Sequence, residues 1–163
     1  MDEGLGLVIG ILLSAVCVIA LFVGLGALFP LTTERARRAA ETMPGRSFLV
    51  GLINTLFVSV LFFSVQGGGR GLAQVLAILL LSAFSFSLAI GLTAMVQVTA
   101  MRLFGLPLAT RAVVWSAVVL VLGSLTPFVG WFGLFPYLGL RGLGGFILSW
   151  WRRAEPIGAP PLP

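Results

Sequence analysis

The sequence has no lysine, no histidine, one cysteine and only five carboxylates, and each scarcity removes a class of function. A single cysteine, Cys17, forbids a disulfide within the chain. Without histidine it can neither complete a Cys/His zinc site nor offer a histidine ligand to haem. Charged side chains make up 9% of the residues, against about 25% in a soluble globular domain. That excludes a water-soluble globule. Asp2 and Glu3 stand at the N-terminus, Glu34 and Glu41 in a charged connection, and Glu155 near the C-terminus. None lies inside an apolar run, so the acids, bases and nucleophiles that catalysis requires are missing. The chain reads as a non-enzyme, with no catalytic, cofactor-binding or metal-binding residue and no cofactor.

What is present is apolar surface. Hydrophobic residues make up 59% of the chain, with 13 Phe and four Trp, and the mean hydropathy is +1.13. The pattern predicts an all-α, polytopic transmembrane helical bundle of about five spans, at residues 5–29, 47–65, 72–101, 107–125 and 128–150. Residues 1–153 form one membrane domain and 154–163 a Pro-rich cytoplasmic tail. The net charge of +5 does not point to nucleic acid, because the arginines stand at the ends of apolar runs, where membrane orientation accounts for them.

Leu5–Phe29 follows acidic residues and lacks the basic start of a secretory signal, so it reads as a retained span. Gly6, Gly10 and Ser14 recur every four residues, a small-residue face for helix packing. Pro30 ends the run. Residues 32–43 predict a short helix on the membrane surface, with Thr33 as N-cap and Glu34 in the first turn. Arg35, Arg37, Arg38 and Arg46 would then sit among lipid phosphates, an acidic protein partner being the alternative. In the second span Gly51, Thr55 and Ser59 mark another packing face, with Asn54 bonding a neighbouring helix. Gln66–Gly71 is glycine-rich but lacks the Lys-Ser/Thr of a phosphate loop. Ser82, Ser85, Thr93 and Gln97 lie along one side of the third span and read as packing, and Pro107 suits the first position of the fourth.

The stretch that organises the C-terminal part is Ser124–Arg141. From Ala112 to Leu140 there are 29 uncharged residues. As one helix these would reach about 43 Å, too long for a hydrocarbon core of about 30 Å. Pro127 and Gly130 therefore predict a broken helical hairpin near Thr126–Gly130, giving either a fifth span or a re-entrant pair. Arg141 has two readings: within the membrane, needing a carboxylate, a carbonyl or water, or at the interface. Trp150, Trp151, Arg152 and Arg153 read as an aromatic belt followed by a basic anchor.

Orientation follows from the arginines. With the 31–46 connection inside, Arg35, Arg37, Arg38, Arg46, Arg102, Arg111, Arg152 and Arg153 are cytoplasmic and only Arg70 is outside, Arg141 aside. The expected topology has the N-terminus outside and the C-terminus in the cytoplasm.

Several short motifs carry a resemblance: Leu28-Phe29-Pro30 with its Thr/Arg-rich continuation, Pro44–Ser47, Ser124–Trp131, and the Leu143-Gly144-Gly145 region. On these the chain resembles a bacterial polytopic membrane module of the kind found C-terminal to bactofilin-type cytoskeletal domains. The cytoskeletal domain itself is not in this sequence. The resemblance implies a multi-pass protein of the bacterial cytoplasmic membrane and no catalytic residues. With small-residue faces, many large apolar side chains and little chemistry, the expected function is an accessory subunit stabilising a larger membrane assembly, for example an electron-transfer or energy-transducing complex. Its expected partners are other integral membrane proteins and anionic lipids, with no nucleic acid. A small oligomeric channel or transporter using the broken hairpin is the alternative.

Overall fold

A computed structural model describes residues 2–66, 71–105, 110–124, 126 and 128–151. These form six α-helices, α1 (Asp2–Leu28), α2 (Pro30–Thr42), α3 (Pro44–Gln66), α4 (Leu72–Phe104), α5 (Thr110–Ser124) and α6 (Phe135–Trp151), with a π-helical segment, Val129–Leu134, leading into α6. The protein is an all-α, multi-pass membrane bundle. Among the described residues four helices are long and apolar enough to cross a membrane: Gly4–Leu28, Pro44–Val65, Leu72–Phe104 and Phe132–Trp151.

Prolines punctuate the first half. A residue preceding proline is pushed away from the helical region. Phe29 (φ −123°, ψ 55°) and Met43 (φ −135°, ψ 67°) both obey, so α1, α2 and α3 are separated by single-residue joints. Pro30 and Pro44 then open the next helices, where a missing N–H costs nothing. Thr33 is therefore not the N-cap that the sequence predicted. It lies inside α2, and its hydroxyl donates to the carbonyls of Phe29 (3.0 Å) and Pro30 (3.1 Å). Glycines bound α4: Gly71 (φ 106°) precedes it and Gly105 (φ 75°) follows, both in backbone conformations that favour glycine.

Of the predicted fourth span, 107–125, the structure describes residues 110–124, which form α5. The helix over Thr110–Ser124 has 15 residues, about 22 Å, below the thickness of a hydrocarbon core. Pro107 lies outside the described residues. The break itself is present, since α5 stops at Ser124 and the helical path resumes at Val129. Ser124 Oγ donates to Leu120 O (2.8 Å) and Thr126 Oγ1 to Gly123 O (2.6 Å), closing the open end of α5. Gly130 belongs to the π-segment, where a Cβ would stand 2.5 Å from the Gly123 carbonyl oxygen. Its role is close approach to the end of α5. Pro127 is outside the described residues.

The last of the described helices is the hub. α6 lies among α2, α3 and α4, while α1 and α5 pack on the opposite side of α4. Two apolar clusters mark the two sides. Phe22, Val96 and Ala117 join α1, α4 and α5, and Ala40, Met95 and Val98 join α2 to α4, with Leu138 of α6 against them.

Candidate functional site

The distinctive chemistry gathers where α6 meets α2 and α3. Glycine makes the meeting possible. A Cβ on Gly51 would overlap the Leu140 carbonyl, one on Gly144 the Ser47 carbonyl, and Gly91 and Gly142 exclude one another's side chains in the same way. Gly145 stands against the Ala36 carbonyl and Ala40. In a bilayer, apolar burial does little to drive helices together, so backbone contact of this kind supplies the attraction.

Into this glycine-lined crossing the fold places Arg141. It is buried, 6% exposed. Nη2 donates to Ala40 O (3.1 Å) and Nη1 to the Tyr137 hydroxyl (3.1 Å), while Ser47 Oγ donates to the Arg141 carbonyl (3.0 Å). Ala40 lies in the last turn of α2, whose final carbonyls have no partner within the helix and carry the negative end of its dipole. Arg141 is buried within the protein, and its partner on α2 is a carbonyl. The guanidinium caps one helix from another.

A second arginine is drawn inward nearby. Arg37 was expected among lipid phosphates on a surface helix, but α2 instead buries Thr33, Ala36, Arg37, Ala39 and Ala40 against its neighbours. Arg37 Nε donates to Glu34 Oε2 (3.0 Å), Nη2 to Glu34 Oε1 (2.5 Å) and Nη1 to Glu41 Oε2 (3.4 Å), and Nη1 also touches the Met101 sulfur of α4. Arg38 Nε reaches Glu34 Oε1 from the exposed side (2.8 Å). The bond from Arg37, with that from Arg38, holds the Glu34 carboxyl below its ordinary value of 4.5 against the opposing effect of burial.

The other expected sites fall as follows. Arg35, Arg38 and Arg46 are exposed, as are Trp150 and Trp151, while Arg152 and Arg153 lie outside the described residues. Gly51 sits at the α3–α6 crossing, and Thr55 and Ser59 donate to the carbonyls four residues earlier, at 2.8 Å each. Gly6 and Gly10 have nothing within 4 Å of a built Cβ, and the exposed Ser14 bonds Ile11 O (2.9 Å). The sequence reading missed Gly91, Gly142 and Gly144 as contact points. The run Gly139-Leu140-Arg141-Gly142-Leu143-Gly144-Gly145 carried the signal.

On the far side of α4 a cavity of about 260 Å³ opens between α1, α4, α5 and the start of α6, lined almost wholly by apolar side chains such as Val18, Phe22, Leu92 and Leu120. Among the described residues no three His, Cys, Asp or Glu side chains gather as metal ligands would. No known protein family, curated protein or solved structure matches this chain.

Proposed function

We propose that the protein is a non-catalytic accessory subunit of the bacterial cytoplasmic membrane, packed against a larger integral membrane protein, with its N-terminus outside and its C-terminus in the cytoplasm. The observation that supports this most is the position of α1. Its C-terminal half engages the fold through Ile19, Phe22 and Leu25. Its N-terminal half leaves Leu5, Leu7, Val8 and Ile9 exposed around Gly6 and Gly10, where the helix surface is open to close approach. The orientation rests on the arginine asymmetry.

The channel or transporter reading draws less support. An interrupted helix serves transport by leaving backbone carbonyls free to coordinate a solute. Here Leu120 O and Gly123 O accept from Ser124 and Thr126, and Thr126 O accepts from the Gly130 N–H (2.9 Å).

Gentle detergent extraction followed by mass spectrometry of the intact assembly tests the proposal. The expected result is a stoichiometric complex with a larger membrane protein, from which the Gly10→Leu variant is released while remaining inserted. A stable oligomer of this chain alone that moves a solute across liposomes would overturn it.

A further inference from the structure

A second cavity, of about 290 Å³, opens on the side of α4 that faces α1 and α5. It shares the Phe22 side chain as a wall with the apolar cavity described above. Along α1 the first cavity lies N-terminal to Phe22 and the second C-terminal to it. The lining of the second is mixed. Phe22, Val23 and Val113 give it apolar surface, while Glu34, Gln97 and Thr110 bring polar groups from three helices, α2, α4 and α5.

Gln97 is the residue that asks for a ligand. Thr93 and Thr99, its neighbours on α4, donate to carbonyls of their own helix at 2.8 and 3.0 Å. The Gln97 amide, with two donors and an acceptor, has no hydrogen bond among the described residues. Gly26 of α1 makes room for it, since a Cβ there would stand 3.3 Å from Gln97 Nε2. An unbonded amide within an apolar span is costly, and such groups mark binding positions. Glu34 is brought beside it: Arg37, one turn after Glu34, touches Met101, one turn after Gln97. Glu34 Oε1 accepts from both Arg37 and Arg38, but Oε2 accepts only from Arg37 Nε (3.0 Å), which leaves it capacity for another donor. A phosphate head would meet this carboxylate, and an ammonium head the two guanidinium groups. A hydroxyl meets neither objection, because it donates to Glu34 and accepts from Gln97 at once. A plain acyl chain would cover the apolar wall and leave the amide unbonded. An apolar cavity of about 150 Å³ already admits benzene, so there is room here for more than a head group. We infer that this cavity binds a neutral amphiphile with a hydroxyl head, held between Gln97 and Glu34, its apolar chain running along Phe22 toward the first cavity.

The test uses the full chain in phosphatidylcholine nanodiscs, with dodecanol carrying a terminal trifluoromethyl group as the probe. Its fluorine NMR line is compared with that in empty nanodiscs, and the matching alkane and phosphate monoester form two further arms. The alcohol alone should bind saturably. With 15N-glutamine labelling it should also move the side-chain line of Gln97, which is told from those of Gln66 and Gln74 by its loss in Gln97→Leu. Gln97→Leu should raise the half-saturating alcohol concentration about fivefold, as the loss of one hydrogen bond predicts. Leucine suits an apolar span, so insertion should hold. The shift of the native amide line needs no variant and stands as a test should Gln97→Leu fail to fold. The inference is overturned by an absence of saturable binding, by equal binding of the alkane or the phosphate monoester, by an unmoved Gln97 line, or by unchanged half-saturation in a folded Gln97→Leu. Displacement of the probe by a co-purifying protein would also overturn it and assign the cavity to that partner.

Discussion

The two sides of α4 are built on different physics. Toward α6, backbones touch: Gly91 meets Gly142, and beyond it Gly144 meets Ser47, with a buried arginine tying three helices together. Toward α1 and α5, side chains meet loosely around Phe22, and a cavity of about 260 Å³ remains open. A bilayer tolerates the second arrangement because lipid tails fill apolar gaps nearly as well as side chains do. It does not supply the first, since no lipid replaces a lost backbone contact. The tight side specifies the fold and the loose side stays adaptable.

The contrast breaks most visibly at a shared glycine. Gly142→Val inserts side-chain atoms into the Gly91 backbone, with no flexible neighbour to yield. Destabilisation of about 3 kcal/mol or more is expected, read as loss of a monodisperse peak in fluorescence-detected size exclusion. On the loose side Phe22→Ala enlarges a space that is already open. A buried Phe→Ala change in a water-soluble core costs about 3–5 kcal/mol. Here about 1–2 kcal/mol is expected in lipid nanodiscs, because acyl chains occupy the vacated volume. A loss as large as that at Gly142 would erase the distinction between the two sides.

A smaller effect concerns α2, which belongs to the tight side through Arg37. The folded Glu34 carboxyl titrates below 4.5, so its contribution to stability is fully present above that pH and is lost as pH falls through the depressed folded value. Thermal melts in nanodiscs between pH 6 and about pH 3 should show this loss, and Glu34→Gln should flatten the acid limb. The smallest effect is expected at Gly10, which has open space around it. Gly10→Leu should change the melting of the isolated subunit by no more than about 0.5 kcal/mol. A larger change would mean that α1 is held along its whole length.

Much of this plan could be read from residue order. Apolar run length marked the long apolar helices within a reading of about five spans, and Pro30 marked the end of the first; that Pro44 opens α3 was not read from the sequence. Local rules failed where the answer depended on a distant neighbour. Thr33 has the composition of an N-cap, but Phe29-Pro30 starts the helix earlier and turns the hydroxyl back onto carbonyls. Arg37 looks like a surface arginine on a helical wheel. Only the arrival of Met101, 64 residues later, makes that face an interior one. Arg141 was ambiguous for the same reason, because its acceptor, Ala40, lies 101 residues away. The glycine run in α6 was visible, but the helices it would touch were not.

The hub position of α6 has a consequence for how the protein is made. α6 is the last of the described helices in chain order, yet it fills the space between α2, α3 and α4. During synthesis those three helices enter the membrane before the element that holds them in place exists. Until Phe135–Trp151 is translated, the faces of Gly51 and Gly91 border a slot without its own partner. Its closure must also carry a charged guanidinium to the end of α2. Pairings across some 100 residues form slowly because a long loop must be closed first. The nascent chain therefore passes through a long-lived state in which a premature stop, a stalled ribosome or a helix from another protein can leave that slot open or fill it wrongly. The bundle is thus most open to error in the interval before α6 arrives.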